Sequence, residues 1–238
     1  MTEIIYTLIV THITIICVTI FLHRSTTHKG ILLNKYLEHF MRFWLWLTTG
    51  MVTKEWVAIH RMHHQMCEKK GDPHSPHIYG IWRVLFGGSL LYHNACKDSA
   101  LIDKYGTGTP DDWVERNVYT LYSRLGIIIM LNINILLFGF WGLLIWIIQM
   151  IWIPFWAAGV VNGLGHWFGY RNGITKNGDN SRNVFPIDVL VGGELLHNNH
   201  HLEPSNPKLS RRWFEFDIGW LWFRIFQILK LAKLKNDR

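Results

Sequence analysis

The sequence predicts an all-α membrane protein with about three transmembrane helices, interfacial helices and a cytoplasmic helical cap. Three observations carry this. Leu125 to Gly165 is a run of 41 residues without Asp, Glu, Lys or Arg, twice what one membrane crossing needs. Ile4 to Leu22 adds a second uncharged run of 19 residues. Histidines recur at helical spacing just beyond these runs. The 238 residues are expected to form one domain, 1–238.

In chain order, 4–22 reads as the first crossing. It lacks the basic start and small-residue cleavage site of a signal peptide. His12 near its middle is expected to pack against other helices. Arg24, Lys29 and Lys35 follow at once and place this end on the cytoplasmic side. From Ile31 to Ile59 the apolar stretch is broken by Lys35, Glu38, Arg42, Lys54 and Glu55, so an interfacial or partly inserted helix is predicted. Residues 65–117 are polar, with Gly-Asp-Pro-His at 71–74 and Gly-Thr-Gly-Thr-Pro-Asp-Asp at 106–112 as loop signals between short helices. The 41-residue run should form a hairpin of two crossings that turns near Gly139 to Gly142, with Trp141, Trp146, Trp152 and Trp156 along it. After a polar segment at 171–193, the stretch from Trp213 to Leu234 reads as one amphipathic helix on the cytoplasmic leaflet. Three crossings put the amino terminus outside and every histidine cluster inside.

The net charge of +7 fits the positive-inside rule and leaves room for an acidic docking partner. Cys17, Cys67 and Cys96 are odd in number and contain no CxxC, which argues against a disulfide framework. Their spacing does not suggest metal ligands.

Four segments carry the chemistry: His23-Arg-Ser-Thr-Thr-His28, His60-Arg-Met-His63-His64, Asn162-Gly-Leu-Gly-His166 and His197-Asn-Asn-His200-His201. Positions i, i+3 and i+4 share a helix face, so each HxxHH is expected to aim three imidazoles at one point. Asn162 and His166 likewise share a face. His23 and His28, five apart, lie about 140° apart on an ideal helix, so they flank a site unless the helix end distorts. Nine histidines are too many for one ion and imply two, each with a position left open for water or oxygen. Imidazole alone leaves zinc, copper, iron and nickel all open. Carboxylates should orient the rings from behind, with Glu55, Asp72, Asp179, Asp188 and Glu194 nearest in sequence. His39, His74, His77 and His93 fall outside the pattern and are expected to be structural. A membrane metal carrier would place ligands along a path through the crossings, whereas here they gather on one face.

These residues resemble the membrane fatty acid desaturase family of the Δ9 acyl-CoA or acyl-lipid type. The likeness is carried by HRSTTH at 23–28, EWVAIHRMHH at 55–64, GDPHSP at 71–76, NGLGHWFGYRN at 162–172, GGELLHNNHH at 192–201 and WFEFDIGW at 213–220. The resemblance implies a di-iron centre with His23, His28, His60, His63, His64, His166, His197, His200 and His201 as ligands and Asn162 acting through a bound water. It implies a desaturase that uses O2 to place a cis double bond in an acyl chain held in a kinked tunnel, with a di-iron hydroxylase as the alternative. The chain has one crossing before the first histidine pair where relatives usually have two, so a second subunit could complete the tunnel wall. Ala58 stands where animal acyl-CoA desaturases carry a basic residue, which leaves acyl-lipid open beside acyl-CoA. No His-Pro-Gly-Gly motif of a fused cytochrome b5 occurs. A separate carrier, such as ferredoxin or cytochrome b5 with its reductase, is implied, and Lys69, Lys70, Arg171, Lys208, Arg211 and Arg212 are its candidate landing site. The short length and unfused carrier suggest a bacterial inner membrane. Nucleic acid is not an expected partner.

Overall fold

The computed structural model describes residues 1–175 and 179–235. Part of the polar segment at 171–193 therefore lies outside the described residues. Helix α1 (Thr2–Cys17) continues without a break into a π-helical stretch, Val18–Thr27. Thr7, Thr11 and Thr14 each return their hydroxyl to the carbonyl four residues back, at 2.7–2.8 Å, so an apolar helix tolerates them. His12 accepts the Trp222 indole N–H at 2.9 Å, a packing contact as expected.

The stretch read as one interfacial helix is two. A short strand β1 (Ile31–Leu33) leads to α2 (Lys35–Thr49), capped by the Asn34 side chain on the Leu37 N–H. Gly50 then takes a left-handed φ of 64°, which ends the helix as glycine typically does. Helix α3 (Thr53–Met66) starts afresh in a new direction and carries the first HxxHH. Arg42, read as an interruption, is buried and paired with Glu115 at 2.9 Å and Asp112 at 2.6 Å.

Short helices α4 (Pro76–Tyr79), α5 (Ile81–Ala95) and α6 (Ser99–Tyr105) follow, then a π-helical turn at Glu115–Thr120. Helix α5 shows Trp82, Phe86 and Leu90, at i, i+4 and i+8, to the exterior. The hairpin forms as predicted: α7 (Ser123–Phe138) and α8 (Phe140–Ile153) reverse at Gly139, φ 57°. Gly142 lets them close, since a Cβ there would lie 2.1 Å from the Asn134 carbonyl oxygen. Helix α8 runs on through a π-helical stretch, Pro154–Val161, into α9 (Asn162–Leu164).

Two continuous helices, Thr2–Thr27 and Phe140–Leu164, are long and apolar enough to cross a membrane. The third expected crossing, α7, has 16 residues, about 24 Å against a hydrocarbon core of about 30 Å. A two-residue parallel ladder joins β2 (Ile187–Asp188) to β3 (Phe216–Asp217), and α10 (His197–Leu202) carries the second HxxHH. The expected helix from Trp213 to Leu234 is shorter: α11 spans Ile218–Ile228, capped by Asp217, and β4 (Ala232–Leu234) turns back to pair antiparallel with β1. Arg24, read as an exit charge, is buried. It forms a two-pronged ion pair with Asp217 at 2.8 and 3.1 Å, tying the end of the first crossing to the start of α11.

Candidate metal centre

The structure draws all nine predicted histidines into two adjoining groups. In the first, the ring nitrogens of His23, His28, His60, His64 and His200 lie within 4.8 Å of one another. In the second, His63 Nε2 is 3.1 Å and His197 Nε2 is 2.9 Å from His166 Nε2, and His201 joins them. The rings of His64 and His201 stack across the boundary at 4.4 Å.

The expectation that each HxxHH aims at one point is corrected. In α3 the i and i+4 histidines, His60 and His64, serve the first group, and the i+3 residue His63 serves the second. In α10 the roles exchange: His197 and His201 serve the second group and His200 the first. Positions i+3 and i+4 are 100° apart on a helix, so neighbouring histidines straddle two centres. The pair 23/28 shows the distortion that its spacing required. The His28 N–H bonds the His23 carbonyl at 3.1 Å, a five-residue turn, and the wider π turn brings the two rings to 4.8 Å. Asn162 begins α9 and lines a cavity beside His197. Among the described residues, no hydrogen bond joins it to a histidine.

Four carboxylates hold rings from behind. Glu194 meets His23 Nδ1 at 2.8 Å, Asp72 meets His63 Nδ1 at 3.1 Å, Glu68 meets His166 Nδ1 at 3.1 Å and Asp179 meets His201 Nδ1 at 2.7 Å. Asp72, Asp179 and Glu194 were expected. Glu68 was not foreseen; it is held by the backbone and side-chain amide of Asn180 across the fold. Glu55 and Asp188 are corrected. Glu55 faces Cys96 and His93, and burial raises its pKa. Asp188 accepts the N–H groups of Val191, Gly193 and Leu195 and shapes the loop before α10.

The contacts test whether a metal fits. His63 and His166 each have Nδ1 against a carboxylate, where it acts as donor, so both Nε2 atoms present lone pairs. Those lone pairs face each other at 3.1 Å, which is repulsive unless a proton or a metal ion lies between them. Burial, with repulsion from neighbouring rings, pushes His28, His60, His64, His166, His197, His200 and His201 well below the ordinary histidine pKa. Neutral imidazole is the metal-binding form. At His63 burial also acts downward, but Asp72, Asp179 and Glu68 outweigh it and the pKa is raised. The residues fit a bound metal.

Two further side chains approach the second group. Cys67 Sγ lies 3.8 Å from His166 Nδ1, the nitrogen that faces away from His63. Burial and the nearby carboxylates raise the thiol pKa, so it stays protonated. His74, expected to be structural, packs against His63 with ring centres 4.4 Å apart and lines the same cavity, and its buried Nε2 has no hydrogen-bond partner among the described residues. Burial holds its pKa down to about 3. His77 lies farther out and contacts the His166 carbonyl at 3.0 Å through Nε2. His39 and His93 lie away from both groups.

The cavity of about 480 Å³ starts at His23, His60, His197 and Asn162 and runs between α2, α5, α7 and α8 along mostly apolar walls, including Ile153 and Val161. Two histidine groups at the end of a cavity with mostly apolar walls, beside membrane-length helices, fit a membrane metalloenzyme that takes an aliphatic chain. Comparison with known proteins narrows this. The sequence model of the fatty acid desaturase family matches residues 3–223, and the chain belongs to that family. The sn-1 stearoyl-lipid 9-desaturase of Anabaena variabilis is 32% identical over 219 residues, 90% of this chain and 76% of that protein. Delta-9 acyl-lipid desaturase 1 of Arabidopsis thaliana is 31% identical over 219 residues, covering 90% and 69%. The sn-1 stearoyl-lipid 9-desaturase of Synechocystis sp. is 29% identical over 220 residues, covering 91% and 66%. The protein is thus a membrane-associated fatty acyl desaturase with a histidine-rich metal site.

Proposed function

We propose that the protein places a cis double bond at the Δ9 position of a lipid-bound acyl chain, using two irons. The observation that carries this is the pair of adjoining nitrogen groups at the end of an apolar cavity. His23, His28, His60, His64 and His200 would hold one iron. His63, His166, His197 and His201 would hold the other, with Asn162 contributing through water. The relatives' names support acyl-lipid over acyl-CoA, as does Ala58.

When bound, the irons supply the O2-derived oxidant that takes hydrogen from carbon. The overall change is –CH2–CH2– + O2 + 2 electrons + 2 protons → –CH=CH– + 2 H2O. The chain's own residues position and protect. The apolar walls hold two methylenes that have no polar handle, so selection of carbons is by placement alone. Glu194, Asp72, Glu68 and Asp179 fix ring orientation and tautomer. Val161 and Val191, with Trp56, line the reacting end of the cavity and limit water there.

Electrons come from a separate carrier, a ferredoxin or cytochrome b5 with its reductase. Lys69, Lys70, Lys208 and Arg212 are exposed and offer an acidic carrier its landing charge, whereas Arg171 is tied to the Ser181 carbonyl at 3.0 Å and Arg211 is paired with Glu203 at 3.0 Å. Positive charge after the first crossing supports a cytoplasmic site in a bacterial inner membrane. Expression in a host without unsaturated fatty acids, with gas chromatography of its lipids, tests the proposal. A new Δ9 monoene is expected. A hydroxy acid would favour the hydroxylase, and saturated lipids alone, with the protein present and iron-loaded, would refute both.

A further inference from the structure

Several polar side chains line the cavity, among them Glu55, Tyr92 and Arg124, and one of them, on α8, is an amide held in place by bonds from two other helices. Gln149 of α8 is 5% exposed and lines the cavity beside Thr48, Ile127 and Met150. Its Oε1 accepts the Asn134 amide N–H at 2.9 Å, and Asn134 Oδ1 in turn accepts the Tyr6 hydroxyl at 2.8 Å. This chain of bonds fixes the amide plane. Its Nε2 has no hydrogen-bond partner in the described structure. The Thr48 hydroxyl on the same lining donates to the Trp44 carbonyl at 2.8 Å and accepts from Thr14 at 3.2 Å, and it makes no bond to Gln149.

We infer that Gln149 sets the acyl chain length this desaturase accepts, by presenting a fixed amide donor to the channel where the methyl end of the substrate runs. The inference rests on the cavity being the acyl channel. A chain that stops short leaves that donor free to keep a water. A longer chain must displace the water and lay methylenes or a methyl against a buried donor that aliphatic carbon cannot satisfy. The discrimination is chemical rather than steric. It therefore survives a change in the room available and vanishes when the amide is replaced by an apolar group of the same length.

Gln149→Met is the test, because methionine matches glutamine in chain length and is close in volume but carries no amide donor. Wild type and variant are expressed as full chains in the same host, supplied with saturated acids of graded even chain length. Monoene is quantified for each length and normalised to membrane-inserted protein. The variant should raise the ratio of longer to shorter products by about five-fold or more, the factor that follows from leaving one buried donor unpaired. The double variant Asn134→Leu/Gln149→Met avoids stranding the Asn134 amide and should show the same shift. Asn134→Leu alone keeps the amide but frees its plane, so it should shift the ratio by less than Gln149→Met does. If wild type desaturates and both Gln149→Met proteins insert with the wild-type length profile, the inference fails while the desaturase reading stands. If the wild type forms no monoene at any length, both fail.

Discussion

If each histidine group holds its own ion, as proposed, replacing Asp72 with asparagine should release one metal and spare the other. Asp72 is fully buried. Its two oxygens take His63 Nδ1 at 3.1 and 3.2 Å, the Glu68 backbone N–H at 2.7 Å and the His74 backbone N–H at 3.1 Å. An asparagine offers one oxygen to these three donors and turns an N–H toward at least one of them. It also removes the negative charge that favours the donor tautomer at Nδ1. Loss of a charge-assisted bond costs about 1.5–3 kcal/mol. Loss of a carboxylate behind a metal-binding histidine typically weakens metal affinity about 10–100-fold, or about 1.4–2.7 kcal/mol. The two ranges agree. His63 belongs to the second group alone, so only that ion should be affected. The assay is metal content per chain, by mass spectrometry, across a chelator series. Asp72→Asn should lose its first ion at about 10–100-fold lower chelator, with the second ion leaving as in wild type. Asp103→Asn, which removes an exposed partner of Lys54, should match wild type. Wild-type chelator resistance in Asp72→Asn, or simultaneous loss of both ions, would refute the division of ligands.

Three other outcomes follow from the same geometry. His64→Ala and His63→Ala should each leave about one ion per chain by metal analysis, since each removes a ligand from a different group. Arg24→Met strands Asp217 without its buried partner, and should cost about 3–5 kcal/mol, read as a lower thermal unfolding midpoint in detergent. For pH, seven histidines have folded pKa values well below their unfolded value of 6.5. Below about pH 6.5 the unfolded chain binds more protons at these sites than the folded one, so stability present at neutral pH falls as pH drops through that value. Metal-stripped protein should show this fall in its unfolding midpoint; a flat profile from pH 7 to 5 would contradict it.

The nine histidines and the hairpin at Gly139 were legible because their signals are local: charge gaps mark buried span, and i, i+3, i+4 spacing marks a helix face. What was misread depends on partners distant in sequence. Glu68 is five residues from His63, yet it serves His166 because Asn180 holds it there. Glu55 shares a helix with His60 but leaves its face and turns to α5. Arg24 looks like any cationic residue at a membrane exit until Asp217, nearly two hundred residues later, is folded onto it. The strand β4 lies in a stretch whose composition suits an amphipathic helix. Its pairing with β1, fixed at Ile31↔Leu234, is a tertiary choice that hydrophobic period alone cannot encode.

The exchange of roles between α3 and α10 has a consequence for assembly. A single HxxHH on a helix presents a pair to one point and a lone ring to another, so neither motif can form a centre alone. Each group needs two histidines from one helix and one from the other. His23 and His28 complete the first, and His166 the second. On the proposed ligand assignment, each metal bound would crosslink α3 to α10, helices separated by more than 130 residues. Each ion would then add its own increment to the docking of these helices, and the one that remains would hold them when the other is lost. Loss of an ion would loosen the cavity wall as well as the chemistry proposed at its end.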